Sequence, residues 1–158
     1  MNMKRITILL VMITALSVAH AQQGLHINEL FTGKIIPQER MMETRVRGKM
    51  IAKYQLSYFH SLRFNVNEQE MARVKELMDK DNEAHALDKE EFVKNAGKPQ
   101  LTTYMMRLKP SNGNNRYLCY KATQHAGDKT KREMIVIYME GQLSSLQTLK
   151  GILQETTK

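Results

Sequence analysis

Apolar and polar residues alternate along much of this chain, and elsewhere they recur at helical spacing. From Met42 to Met50 the order is two-fold. Met42, Thr44, Val46, Gly48 and Met50 fall on one side, and Glu43, Arg45, Arg47 and Lys49 on the other. That pattern predicts a half-buried strand with a charged outer face. Residues 56–66 alternate again, with Leu56, Tyr58, His60, Leu62, Phe64 and Val66 on one face. Ile51, Tyr54, Tyr58 and Leu62 also keep a near-helical spacing, so a helix from Lys49 to about Phe59 competes with the strand. Beyond it, Asn67 with Glu70 three residues on forms a capping box. Met71, Val74, Leu77 and Met78 then make one apolar stripe of a helix. Asp88 and Glu91 repeat the capping pattern and predict a shorter helix containing Phe92 and Val93, stopped by Gly97 and Pro99.

The C-terminal third reads as a meander and a helix. Residues 101–109 are rich in Thr, Tyr and Met and predict a strand, residues 110–115 (PSNGNN) a turn, and residues 116–123 the return strand. A polar loop follows to Lys131. The unbroken apolar run Met134–Met139 predicts a strand covered on both faces near the sheet centre, ended by Gly141. Ser144 with Gln147 predicts the start of a last helix, with Leu146, Leu149, Ile152 and Leu153 as its buried face. Together these elements predict an α+β domain: an antiparallel sheet with a C-terminal three-stranded meander, and helices packed on one face.

The first residues read differently. Lys4 and Arg5 make a short positive start, residues 6–18 are almost all apolar, and Ala19-His20-Ala21 is a small-x-small cleavage triplet. This is the order of a secretory signal peptide, and its apolar run falls short of the roughly 20 residues that cross a membrane. The expected division is a signal peptide at 1–21, an extended or loosely packed arm at 22–40 and one α+β domain at 41–158. Export to the periplasm or beyond is therefore expected, with no transmembrane span after cleavage. A lipoprotein is not expected, because the only cysteine, Cys119, lies far from the cut. One cysteine makes no internal disulfide, and Cys119 sits in an apolar strand pattern, where a buried inert thiol is expected. The formal charge of +8 becomes about +6 once Lys4 and Arg5 leave with the signal. A basic exported protein suits an acidic protein, a glycan or a lipid headgroup, and nucleic acid is not expected.

Residues 24–31 (GLHINELF), 43–48 (ETRVRG) and 61–64 (SLRF), following an export signal, resemble a family of small exported proteins from Bacteroidetes-type bacteria known only as a domain of unknown function. The ending IVIYMEG at 135–141, followed by a Leu-rich helix, is similar to a broader group of such domains. The resemblance covers most of the mature chain. It implies a periplasmic or surface location and supplies no catalytic residues.

Chemical templates are mostly absent. There is no Gly-x-Ser-x-Gly elbow for nucleophilic catalysis, and Thr32-Gly33-Lys34 is no phosphate-cradling loop. His26, His60, His85 and His125 lack zinc-ligand spacing, so no cofactor is expected. His60, on an apolar face, reads first as a hydrogen-bonded core histidine. Asp79, Asp81, Glu83 and Glu90 fall at the first, third, fifth and twelfth places of a calcium loop expected between two helices. Ala84 stands where that template needs Gly. The remaining feature is a basic ladder, Arg45, Arg47 and Lys49, joined by Arg63 from a neighbouring strand and near His60. It reads either as a charged edge strand or as a docking surface. The function expected is a non-enzymatic binding or accessory domain, with a small hydrolase-like enzyme as the alternative. A pocket joining His60 to Glu43 or Glu140 would favour the enzyme.

Overall fold

The computed structural model describes residue 22 and residues 24–94, 100–124 and 132–155. The expected signal peptide, the Gly97 and Pro99 stop, His125 and most of the polar loop before Arg132 lie outside the described residues. Six antiparallel strands form one sheet in the order β1-β2-β6-β5-β4-β3. They are β1 (Met42–Arg47), β2 (Leu56–Val66), β3 (Ala86–Lys94), β4 (Gln100–Ser111), β5 (Asn114–Gln124) and β6 (Arg132–Gly141). Among the described residues four α-helices accompany them, α1 (Asn28–Phe31), α2 (Lys49–Ala52), α3 (Glu68–His85) and α4 (Leu146–Glu155), with one 3-10 turn at Gln38–Arg40. The α+β class, the antiparallel sheet and the β4-β5-β6 meander are as expected.

Strand β6 lies inside the sheet, between β2 and β5. This position explains its unbroken apolar run, since successive side chains enter different cores. On one face Tyr58, Leu62, Phe64, Met106, Leu118, Val136 and Tyr138 are buried under Val74, Leu77 and Met78 of α3. On the other, Met105, Tyr117, Cys119, Ile137 and Met139 are buried under Leu146, Leu149 and Leu153 of α4. The helices thus cover both faces rather than packing on one. The two-sided apolar character of β4, β5 and β6 requires this, because each strand has apolar side chains to bury in both directions.

Four local expectations change. The 22–40 segment is not a loose arm: Leu25, Ile27, Leu30, Phe31 and Ile36 are all buried in the α3-side core. The short helix expected around Phe92 is instead β3, an outer strand paired along β4 from Ala86 to Lys94. Backbone pairing with β4 overrides the local capping pattern there. Residues 49–59 divide between the two competing readings, with one helical turn at Lys49–Ala52 and β2 from Leu56. The α4 cap is Ser145, whose Oγ accepts from the Thr148 amide at 3.2 Å, one residue later than expected.

Two turns are set by backbone geometry. Asn112 and Gly113 both have positive φ, 51° and 77°, as a two-residue type I′ hairpin turn requires. Gly141 ends β6 where the chain crosses residues 55–56, and a Cβ there would lie 2.7 Å from Leu56 Cα. Among the described residues no helix is long and apolar enough to cross a membrane.

Candidate functional site

The β1–β2 register decides where the predicted ladder points. Glu43, Arg45 and Arg47 pair with Leu62, His60 and Tyr58, so they face the same side as the α3-side core. Among the described residues strand β1 has no neighbour on its outer side, and most of it is exposed. Its charged side chains therefore bend over the rim of that core. Arg63 pairs with Met42, points to the opposite face, and is bound to Glu133 at 2.9 Å. Lys49 lies in α2 after the chain leaves the strand at Gly48. The five residues of the expected site do not form one row; Arg45, Arg47 and His60 are brought together, while Lys49 and Arg63 are not.

His60 is the centre of the cluster and is only 2% exposed. Its Nε2 lies 2.6 Å from Glu43 Oε1. Its Nδ1 lies 2.7 Å from Gln22 Nε2 and 3.2 Å from the Tyr58 hydroxyl. The Phe31 ring packs on the imidazole at 4.5 Å between centroids. Burial lowers the His60 pKa; the Glu43 hydrogen bond opposes this, and the charges of Arg45 and Arg47 add to it. The ring is neutral at neutral pH, and its contacts fix one tautomer. Nε2–H donates to the Glu43 carboxylate, while Nδ1 accepts from the Gln22 amide and the Tyr58 hydroxyl.

Glu43 serves two partners. Arg45 donates to Glu43 Oε1 from Nε at 2.8 Å and from Nη2 at 2.6 Å. Burial pushes the Glu43 carboxyl up, but the bonds from Arg45 and His60 outweigh it and hold the pKa below the usual carboxylate range. Arg45 is thus neutralised within its own strand. Arg47 lies 4.6 Å over the Tyr58 ring and has no ion pair among the described residues. On the same face, Glu140 accepts from the Tyr138 hydroxyl at 2.6 Å. Among the described residues, His60 does not line the groove between α3 and the sheet on this face.

The calcium-loop lookalike is not a loop. Asp79, Asp81 and Glu83 are on α3, which runs unbroken to His85, and Glu90 is in β3. Asp81 is fully buried. Its Oδ1 accepts from the His26 amide at 2.7 Å and its Oδ2 from the Ile27 amide at 2.8 Å. This carboxylate fastens the N-terminal segment to α3. Among the described residues no group of three or more His, Cys, Asp or Glu side chains could hold a metal ion. Glu90 is bonded to Lys150 of α4.

Sequence reasoning missed Gln22 and Phe31, which close over His60. The signal was the apolar set Leu25, Ile27, Leu30 and Phe31, too dense for a loose arm. A family model described as "Family of unknown function (DUF6108)" matches residues 14–153. No curated protein and no solved structure matches the chain.

Proposed function

We propose that this chain, which belongs to the family of unknown function DUF6108, is an exported, non-enzymatic binding domain that holds an extended acidic protein segment along the outer edge of β1. The observation that carries this reading is the closure of His60. A general base needs reach to a substrate proton. Here Glu43 takes one imidazole nitrogen, Gln22 and Tyr58 share the other, and Phe31 covers the ring.

The edge of β1 has what a peptide-binding strand needs. Its outward backbone groups have no sheet partner among the described residues, and an extended segment can add beside it as a further strand. Arg47 is an exposed cation on this strand, and Lys49 and Lys53 are exposed cations in and after the turn that follows it; none has an ion pair among the described residues. An acidic segment complements them. Export rests on the charge, apolar run and cleavage triplet of residues 1–21.

The test is crosslinking of the tagged mature protein in its native host, read by mass spectrometry, beside a form carrying Arg47→Glu and Lys49→Glu. Neither side chain hydrogen-bonds Glu43, Arg45 or His60, and both are exposed, so the folded-state melting transition should persist even though Arg47 leaves the Tyr58 ring. A partner captured by the native form and lost by the variant is the expected result. A partner kept equally by both would sink the β1 edge as its site. A hydrolytic reading rests on the 2.6 Å Glu43–His60 contact alone. Turnover that appears in Gln22→Ala and vanishes in Gln22→Ala with His60→Gln would favour it.

A further inference from the structure

A groove of about 240 Å³ lies between α3 and the sheet, away from β1. Its origin is a row of small side chains. On the α3 side of the sheet, Tyr104 and Tyr120 pair across β4 and β5 and stack at 5.6 Å. One row on, Thr102 pairs with Ala122, and these leave space beneath Met71 and Lys75 of α3. The next row is polar: Gln100 pairs with Gln124, and Gln124 with Arg132.

The groove combines two cations with amides and hydroxyls. Among the described residues Lys75 has no ion pair, and Gln100, Thr102 and Gln124 make no side-chain hydrogen bond. Arg132 is partly engaged, with Nη2 3.3 Å from exposed Glu68 and Nη1 at 4.0 Å from Met71 Sδ. Its Nε–H is buried without a partner among the described residues. A guanidinium left part-satisfied in this way is unusual, because buried donors are ordinarily paired.

We propose that this groove binds a sugar acid, a single carboxylated pyranose, either free or at the end of an acidic glycan. Lys75 and Arg132 supply the charge for the carboxylate. The Gln carbonyls accept, and the Thr102 hydroxyl accepts as well as donates, so they call for a ligand with hydroxyl donors. Phosphate and sulfate are largely acceptors and would leave those groups unmet. The volume is below the roughly 300–1,000 Å³ of drug-sized ligand sites and suits one ring. The assignment is independent of the β1 edge.

The experiment is a calorimetric titration of the mature protein with sodium D-glucuronate, with glucose, acetate and inorganic phosphate in parallel. Saturable glucuronate binding at or below about 10 mM is expected, with glucose and acetate at least about tenfold weaker. Lys75→Met, on a half-exposed helix position, and Ala122→Leu, which fills the floor, should each weaken glucuronate at least about tenfold while the folded-state melting transition persists. Absence of saturable glucuronate binding by the native protein would overturn the proposal, whatever the variants do. So would equal binding of phosphate or acetate, which would make it a plain anion site, or unchanged affinity in both variants.

Discussion

At the scale of single residues, the chemistry of this protein is concentrated in polar side chains that it has buried. His60 is held neutral by burial, so the unfolded chain binds the additional proton. A base whose folded pKa is depressed contributes stability above its unfolded pKa, and that contribution is lost as pH falls. Stability should therefore begin to decline below the ordinary histidine value of 6.5, while Glu43 and Glu70, both lowered from 4.5, act only at more acid pH. Urea unfolding of native and His60→Gln forms between pH 7 and pH 5 checks this: the slope in that window should flatten in the variant. Cys119 illustrates the opposite case. Its pattern in the sequence already indicated a buried thiol, and burial pushes its pKa up to about 12, so it stays protonated. His60 itself was legible as a core histidine, but its partners were not. Gln22 is 38 residues away, and local periodicity carries no information about a contact at that separation.

At the scale of elements, helix α3 shows what local sequence decides. Its capping box was readable because every participant lies within one turn: the Asn67 side chain accepts from the Glu70 amide at 2.8 Å, and Glu70 accepts in return from the Asn67 amide at 3.1 Å. At its other end, Asp81 binds the amides of His26 and Ile27, a role that no spacing rule announces. The two ends predict unequal losses. Asn67→Ala should cost about 1 kcal/mol, the usual worth of a solvated cap. Asp81→Ala should cost about 3 kcal/mol, because it strands the buried Ile27 amide and the part-buried His26 amide. Denaturant midpoints measure both, and a smaller loss for Asp81→Ala than for Asn67→Ala would contradict the role given to that carboxylate. Strand β3 shows where local rules fail. Asp88 and Glu91 have helix-capping spacing, yet β4 offers a continuous partner from Leu101 to Leu108, and ladder formation prevails.

At the scale of the whole molecule, one sheet separates two cores that share its strands. Met105 and Met106, or Ile137 and Tyr138, are neighbours in sequence but bury in opposite directions. The cores are coupled through backbone rather than through side-chain contact. Val74→Ala under α3 and Leu149→Ala under α4 should each destabilise by about 2–4 kcal/mol, in proportion to the volume removed. The double variant should show the sum, because the sites lie on opposite sides of the sheet. Far-ultraviolet circular dichroism and tyrosine fluorescence should still report one transition; two resolved transitions would mean that the faces unfold separately. The α+β class was legible at this scale because strand and helix periods differ so clearly. The distribution of helices over both faces was not read from the sequence, although the two-sided apolar character of Met134–Met139 implied it.

The pairing of β2 with β6 has a consequence for the order of events during synthesis. The N-terminal segment and β1–β2 are made first, yet Leu62 lies beside Val136 and His60 beside Tyr138. A hairpin of two strands has little stability in water, and the surface that buries Leu30 and Phe31 includes side chains of β6. Strand β2 therefore lacks its second sheet partner until β6 has been synthesised. Contacts so distant in sequence slow folding, so the rate at which this sheet closes is set by the pairing of its second strand with its last.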